Sequence, residues 1–319
     1  MDRKTLDRRD VLKATAAAGA AGLTAGAHAA GLPAYDPNAK FELIVSEVEL
    51  RKNTAGRMLM ARIYQPKGPG PFPTVLDLHG GAWNRKDRFA EEPMDRALAA
   101  SGLLVVAVDM TIAPEAPYPA CVQDAHFAVR WLKWKAPGWN GDPASLGILG
   151  SSSGGHVGQL IALKPRDPKY AAIALPEAPQ LDAGIRYLAS RSPISNTVAR
   201  YQQAEKMKRE PMIKNNQTYW VPWETIHEGN PQEILDRKQH GALPPLLVMQ
   251  GGLDDNVLPS IQEKFVAAWR AAGADARLEV FEGCEHEWVK DPGPMTDKAH
   301  DMVKAFIARN LGVRAPNLV

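Results

Sequence analysis

Long hydrophobic runs and a surplus of basic charge are both lacking in this sequence of 319 residues. The single apolar run lies at the N-terminus and consists mainly of alanine and glycine, which excludes a bundle of membrane-spanning helices. Lys and Arg total 38 against 36 Asp and Glu; residues 1–29 hold five of the former and three of the latter, which leaves 33 of each sign. Because a nucleic-acid binder needs a basic surplus, we expect no nucleic-acid partner.

Cysteine is rare as well. Cys121 and Cys284 lie far apart, form no C-x-x-C pair and have no histidine cluster at zinc spacing nearby, so the sequence predicts no metal site. A disulfide is permitted in an oxidising compartment, and two free thiols are an equally open alternative.

The first thirty residues have the composition of an export signal. Arg8 and Arg9 precede a weakly apolar stretch over residues 14–23, and a small-x-small site follows at Ala27-His28-Ala29. The adjacent arginines resemble the twin-arginine export motif. An amphipathic first helix is the alternative, but alanine and glycine make a poor core-facing stripe.

We therefore expect residues 1–29 to be a cleavable signal that engages the twin-arginine export machinery transiently. Cleavage near Ala29 leaves residues 30–319 as the mature domain, with no membrane span and a location in the periplasm or outside the cell.

Strand and helix patterns alternate through the mature chain. Two alternating strands, over residues 41–50 and 57–65, predict a hairpin. Short, continuously apolar strands follow, separated by helical patterns. The strands are predicted at 73–79, 103–109, 146–151, 171–175, 245–250 and 277–282, and the helices at 88–100, 120–135, 154–163, 260–272 and 296–310. This order predicts an α/β fold with a mostly parallel eight-stranded sheet and helices on both faces.

Residues 176–244 interrupt this alternation. A segment of this length is too long for an ordinary connection, so it predicts a lid inserted before the seventh strand. Its aromatic residues are Tyr187, Tyr201, Tyr219, Trp220 and Trp223.

The strongest chemical signal is the G-x-S-x-G pattern of residues 150–154, with Ser152 at its centre. Flanking glycines allow a sharp strand-to-helix turn that presents a serine hydroxyl, and the N-terminal amides of the next helix favour developing negative charge. The pattern also occurs in glycine-rich turns without chemistry. Its place between an apolar strand and a helical pattern favours a nucleophile.

A serine hydroxyl is a weak nucleophile until a base takes its proton. His286 directly follows the last predicted strand, whereas His300 lies within the final helical pattern, so His286 is the expected base. The carboxylate that orients the base should follow the strand at 245–250. Asp254 and Asp255 both stand there, and the residues alone leave both open.

Ester or amide hydrolysis also needs hydrogen-bond donors for the oxyanion. Residues 79–83, His-Gly-Gly-Ala-Trp, end a buried strand with a glycine turn that exposes consecutive amides. We expect the amides of Gly81, Ala82 and Ser153 to form the oxyanion hole. His79 has no partner at ligand spacing and is expected to hold the loop.

Four motifs in this order resemble the α/β-hydrolase superfamily, and more closely its bacterial esterases of the hormone-sensitive-lipase-like and feruloyl-esterase-like groups. They are residues 79–83, 150–155, 252–257 and 285–286, and the similarity extends from about residue 41 to 311. The aspartate of these enzymes stands three residues before a valine, which implies Asp254. The sequence departs from them at Ala82, where a third glycine is common, and at Ser151, where an acidic residue is common. Their N-terminal cap is missing, and residues 176–244 stand in its place.

The resemblance implies a serine carboxylesterase that hydrolyses small or aryl carboxylic esters through a Ser152–His286–Asp254 triad and an acyl-enzyme, without a cofactor. Its partner would be a small-molecule ester, and Trp83, Trp220, Trp223 and Trp288 are candidates for the lining of the substrate pocket. Two alternatives remain: an amidase or peptidase of the same superfamily, and a non-catalytic binding protein on the same scaffold.

Overall fold

Eight strands form one sheet in residues 35–312, the part of the chain that this computed structural model describes. The strands are β1 (Leu43–Lys52), β2 (Met58–Pro66), β3 (Phe72–Leu78), β4 (Leu104–Val108), β5 (Gly141–Ser151), β6 (Leu188–Arg191), β7 (Leu246–Gly251) and β8 (Ala276–Phe281). The helices are α1 (Glu92–Ala100), α2 (Ala120–Lys135), α3 (Ser153–Leu163), α4 (Thr197–Lys206), α5 (Glu210–Tyr219), α6 (Thr225–Glu228), α7 (Pro231–Asp236), α8 (Pro259–Ala271) and α9 (Pro294–Asn310).

The strand order in the sheet is β1-β2-β4-β3-β5-β6-β7-β8. The first two strands form an antiparallel hairpin, and β2 pairs with β4 antiparallel; every other pair in this sheet is parallel. The predictions of an initial hairpin and of a mostly parallel eight-stranded sheet are therefore confirmed.

Successive side chains of the central strands enter cores on opposite faces of the sheet, as the pleat requires. Val75 packs into one hydrophobic cluster and Leu76 into the other. The cluster around Leu76 includes residues of α2, α3 and α8, such as Phe265. The cluster around Val75 includes residues of α1 and α9, such as Leu98. Both faces are covered by helices, which explains why the strands are apolar without alternation.

The prediction of a sixth strand at residues 171–175 is wrong. Tyr170–Ala172 forms a turn of 3-10 helix, and the sixth strand is Leu188–Arg191. This strand lies inside the segment predicted as a lid, so the insertion between β6 and β7 covers residues 192–245 rather than 176–244. The sequence pattern misses β6 because half of its four residues, Ser190 and Arg191, are polar although both are buried.

The parallel register brings the carboxyl ends of the strands to one edge of the sheet. Leu78 of β3 is paired with Gly150 of β5, and Ser151 of β5 with Arg191 of β6. Gly251 of β7 is paired with Phe281 of β8. The loops after these strands therefore meet at this edge, which is where open α/β sheets bind ligands.

The predicted signal, residues 1–29, lies outside the described residues. Within residues 35–312, no helix combines the length and the hydrophobicity that a membrane crossing requires. Cys121 and Cys284 are both free thiols in the structure. The buried Cys121 Sγ lies 2.9 Å from Tyr219 Oη, and burial raises the pKa of this thiol to about 12.

Two buried carboxyl groups lie next to the sheet without hydrogen-bond partners among the described residues. Asp77 on β3 is 1% exposed and Asp95 on α1 is fully buried, and none of their four oxygens is bonded. Burial raises the pKa of both well above the ordinary value; the charge of Glu91 raises the pKa of Asp77 further, and the charge of Asp77 does the same for Asp95. The folded structure therefore favours the protonated form of each group.

These carboxyl groups make stability depend on pH. The folded protein keeps protons that the unfolded chain releases above about pH 4, so the free energy of unfolding falls as the pH rises. We expect Asp95→Asn to remove this dependence at one group. The Tm of the variant minus that of the wild type, measured by circular dichroism, should be higher at pH 8 than at pH 5 by at least about 2 °C.

Asp109→Asn is the matched control. Asp109 is also buried, at 3% exposed, but it accepts hydrogen bonds from the Met60 amide at 3.0 Å and from the Arg88 guanidinium at 3.0 Å. Its loss should lower Tm at both pH values. An equal change in Tm for Asp95→Asn at pH 5 and pH 8 would contradict a raised pKa of Asp95.

Candidate active site

Ser152 occupies a strained turn between β5 and α3. Its φ of 49° and ψ of −114° lie outside the regions that non-glycine residues favour. The Ser152 amide donates to the Arg191 carbonyl oxygen at 2.8 Å, which ties the turn to the end of β6. Gly154 lets the start of α3 pack closely against the end of β3, because a Cβ there would collide with the backbone of Leu78. The turn therefore presents the Ser152 side chain at the edge where the strands end.

The structure brings Ser152, His286 and Asp254 into one hydrogen-bonded array. His286 Nε2 lies 3.0 Å from Ser152 Oγ, and His286 Nδ1 lies 2.8 Å from Asp254 Oδ2. His286 is carried by the loop after β8, and Asp254 by the loop after β7. A neutral imidazole whose Nδ1–H donates to Asp254 has Nε2 free to accept a proton from Ser152.

The structure separates the two aspartates that the residues alone left open. Asp254 is 2% exposed and faces His286, whereas Asp255 is exposed and forms an ion pair with Arg209. Burial alone would raise the pKa of Asp254, but hydrogen bonds from His286, the Val257 amide and the Gln250 side chain outweigh it and lower the pKa below its ordinary value. Asp254 is thus an ionised carboxylate fixed by four donors, the Asn256 amide included.

The turn after β3 places free amides beside Ser152. Gly81, Ala82 and Trp83 all have positive φ, of 110°, 52° and 61°. Gly81 requires its glycine, since a Cβ would collide with the Arg85 carbonyl. Within residues 35–312, the amides of Gly81, Ala82 and Ser153 have no hydrogen-bond acceptor. These are the three amides that the sequence predicts for an oxyanion hole, and Gly81, Ala82 and Ser152 line the same cavity.

An aromatic cluster holds this turn in place. The ring of Trp83 stacks on Tyr219 with centroids 4.6 Å apart and meets Trp220 edge-on at 5.5 Å. Trp83 Nε1 donates to His156 Nδ1 at 3.1 Å, and His156 Nε2 donates to the Gly229 carbonyl at 2.7 Å. Burial lowers the pKa of His156 to about 4, so this imidazole is neutral. The cluster joins the turn, α3 and the 192–245 insertion.

His79 precedes this turn and is 3% exposed. Its Nδ1 lies 2.8 Å from the Gly80 carbonyl oxygen, a contact within the loop itself. Burial lowers the pKa of His79. In the described part of the chain, no group of three or more His, Cys, Asp or Glu side chains is arranged to hold a metal ion.

A cavity of about 290 Å³ opens beside Ser152 and His286. Its lining is mainly charged and polar, with residues from the loops of the sheet and from α4 and α5 of the insertion. The residues with charged side chains are Arg85, Lys86, Arg191, Arg200, Arg209, Asp255 and Glu287, and the others include Pro211, Met212, Asn215 and Asn256.

The four tryptophans expected to line the pocket lie elsewhere, and the prediction of an aromatic lining is corrected. Trp83 and Trp220 are buried in the aromatic cluster, where Trp83 stacks on Tyr219 and Trp220 meets Tyr219 edge-on. Trp223 is 38% exposed and packs against Tyr201, and Trp288 stacks on Phe281 at 4.2 Å. Each ring finds an aromatic neighbour outside the cavity.

Sequence reasoning missed the buried pair of Arg191 and Glu91. Arg191 Nη2 lies 3.1 Å from both Glu91 oxygens, and Nη1 donates to the His286 carbonyl at 2.8 Å. Ser151 Oγ donates to Glu91 at 2.5 Å. The sequence signal for this pair is Ser151, which stands where the resembling esterases commonly carry an acidic residue. In this structure Glu91, in the segment before α1, supplies the carboxylate instead.

Three comparisons with known proteins agree with this architecture. A family model described as the alpha/beta hydrolase fold matches residues 75–290. The carboxylesterase NlhH of Mycobacterium tuberculosis is 32% identical over 130 residues, which cover 39% of this chain and 41% of that protein. The chain thus matches less than half the length of this relative. An AB hydrolase superfamily protein of Schizosaccharomyces pombe is 26% identical over 251 residues, covering 74% of this chain and 70% of that protein.

Among solved structures, the carboxylesterase EstE1, cloned from a metagenomic library, superposes with a TM-score of 0.69 at 23% identity, covering 85% of this chain and 91% of that one. This likeness concerns the fold. A model of the twin-arginine translocation signal matches residues 5–25, which indicates export from the cytoplasm. The family match spans more than half of the chain and contains the whole Ser152–His286–Asp254 array. The chain therefore belongs to the α/β-hydrolase fold family.

Proposed function

We propose that this protein is an exported serine hydrolase that cleaves carboxylic esters. The observation that carries the proposal is the geometry of Ser152 Oγ, which lies 3.0 Å from a histidine that Asp254 orients, at the wall of a cavity. The carboxylesterase names of the relatives support the ester as the bond that is cleaved.

The proposed reaction begins when Ser152 Oγ attacks the ester carbonyl carbon and its proton passes to His286 Nε2. The carbonyl oxygen becomes an oxyanion, which the amides of Gly81, Ala82 and Ser153 stabilise. The imidazolium, oriented by Asp254, donates its proton to the leaving alcohol as the C–O bond breaks. A water molecule then gives its proton to His286 and attacks the acyl-enzyme, and the acid leaves as Ser152 recovers its proton.

The strained turn at Ser152 serves this reaction. A serine held at positive φ by the Arg191 carbonyl cannot relax into the start of α3, so its hydroxyl stays at the cavity wall. The Ser153 amide, at the N-terminus of α3, adds the positive end of a helix dipole to the oxyanion site.

One prediction of the proposed mechanism concerns Ser152. We expect Ser152→Ala to lower kcat for short-chain p-nitrophenyl esters by at least about a thousandfold, because the nucleophile is lost. The wild-type enzyme should hydrolyse these esters faster than the matched p-nitroanilides. Faster anilide cleavage would favour an amidase, and no labelling of Ser152 by a serine-reactive phosphonate would favour a binding protein.

A second prediction separates the two neighbouring aspartates. Asp254→Asn should lower kcat by about a thousandfold or more, because an amide does not stabilise the imidazolium and favours the wrong tautomer. Asp255→Asn is the matched control and should change kcat by less than about threefold, since the exposed Asp255 pairs with Arg209 and not with His286. Equal losses in the two variants, measured as steady-state kcat on one ester, would exclude Asp254 as the orienting group.

A third prediction concerns export. We propose that cleavage after Ala29 leaves residues 30–319 in the periplasm or outside the cell, after transient engagement of the twin-arginine machinery. Mass spectrometry of the exported protein should give Ala30 as its N-terminus. Replacing Arg8 and Arg9 by lysine should keep the uncleaved chain in the cytoplasm; unchanged export of that variant would refute the route.

A further inference from the structure

The cavity beside Ser152 has more positive than negative charge. Five of its lining residues are cationic and two are anionic. The cations are Arg85, Lys86, Arg191, Arg200 and Arg209, and the anions are Asp255 and Glu287. Such a lining is unusual for a neutral apolar ester, because a small-molecule site is commonly apolar with a few polar groups placed for specificity.

Three of these cations already have carboxylate partners. Arg191 is paired with the buried Glu91, and Arg209 with Asp255. Lys86 Nζ lies 2.6 Å from Glu287. Burial alone would raise the pKa of Glu287, but Lys290 and Lys86 lower it to about 2, so this carboxylate is ionised and neutralises Lys86.

Arg200 and Arg85 have no carboxylate partner among the described residues. Arg200, on α4 of the insertion, is 1% exposed, and its Nε donates to Asn256 Oδ1 at 3.0 Å. Its Nη1 is fully buried without a hydrogen-bond partner among those residues. Burial lowers the pKa of Arg200 to about 10, so the guanidinium is still charged at neutral pH.

The buried charge of Arg200 could instead be balanced by Asp254, whose negative charge favours the protonated guanidinium. Both oxygens of Asp254 are already occupied, by His286, Gln250 and the amides of Asn256 and Val257. Asp254 therefore reduces the electrostatic cost of the buried Arg200 charge but does not accept a hydrogen bond from the unpartnered Nη1. A buried cation with an unbonded donor destabilises the folded protein, and a ligand anion in the cavity would offset that cost.

We propose that Arg200, assisted by the neighbouring Arg85, binds a carboxylate group of the substrate, so that the enzyme acts on small esters that carry a second, ionised carboxyl group. This inference rests on the proposed esterase function. A guanidinium donates charge-assisted hydrogen bonds to carboxylate oxygens, and the bond from Nε to Asn256 holds the Arg200 guanidinium at the cavity wall. The cavity volume of about 290 Å³ limits the substrate to a small molecule, such as a half ester of a short dicarboxylic acid.

The kinetic test compares esters that differ only in charge. Monoethyl succinate, glutarate and adipate are each paired with the neutral ethyl ester in which the free carboxylate is replaced by a carboxamide. We expect the wild-type enzyme to favour the charged member of at least one pair by about 10- to 100-fold in kcat/KM at low ionic strength. Absence of a preference in every pair would overturn the proposal.

Variants then assign the preference to one side chain. Arg200→Gln should reduce the charged-to-neutral ratio of kcat/KM at least about tenfold, mainly through KM, and Arg200→Lys should restore part of it. Arg209→Gln is the matched control, an arginine of the same cavity that is already paired, and should change the ratio by less than about threefold. An unchanged ratio in Arg200→Gln would refute the assignment.

A binding measurement separates this inference from the esterase proposal. Calorimetric titration of Ser152→Ala with succinate, glutarate and adipate needs no catalysis, and we expect binding of at least one that Arg200→Gln in the same background abolishes. Dicarboxylate binding without ester hydrolysis would remove the esterase function and keep the anion site. Ester hydrolysis without charge preference or dicarboxylate binding would keep the esterase function and remove the anion site. Circular dichroism checks the fold of each variant, and the wild-type ratio decides the question if Arg200→Gln does not fold.

Discussion

The buried ion pair of Arg191 and Glu91 is the connection on which the geometry of this site depends. The Arg191 guanidinium binds the Glu91 carboxylate and the His286 carbonyl, and its own carbonyl accepts the Ser152 amide. One residue at the end of β6 thus fixes both the loop that carries the histidine and the turn that carries the serine. A buried pair of this kind gains little net stability, since desolvation offsets the attraction. Its value here lies in fixing positions.

The same pair explains which part of the fold the sequence predicts and which part it conceals. Seven of the eight strands have a recognisable pattern, which alternates in the hairpin strands β1 and β2 and is mainly apolar in the others, and the prediction places them within a few residues. Strand β6 is short and ends in Ser190 and Arg191, so it has no such pattern. It is buried because Arg191 meets a carboxylate from a segment about a hundred residues away in the chain, and no local pattern encodes that contact.

A similar distinction applies to the site. Ser152, His286 and the amides of Gly81 and Ala82 follow from short motifs, because strained turns and loop ends require particular residues at fixed spacing. The residues alone leave the choice between Asp254 and Asp255 open. The resemblance to known esterases implies Asp254, and in the structure Asp254 is the one buried against His286. The lining of the cavity was least accessible to prediction. Tryptophans suggested an aromatic pocket, but pairing among Trp83, Tyr219 and Trp220 turned those rings toward each other.

The 192–245 insertion contributes to the site in two ways: it packs against Trp83, and it supplies Arg200 to the cavity lining. Tyr219 and Trp220 pack against the Trp83 ring and so hold the turn that carries the free amides. The Arg200 guanidinium carbon also lies near this ring, 5.7 Å from its centroid, and Arg200 lines the cavity.

In the proposed function, the groups that make and break bonds come from the loops of the sheet, whereas the group that selects the substrate comes from the insertion. Trp83 connects the two parts, because its ring lies near Arg200 and packs against Tyr219 and Trp220 of the insertion. Under the two proposals, a substrate carboxylate that holds Arg200 in place would act, through Trp83, on the turn that carries the amides of Gly81 and Ala82.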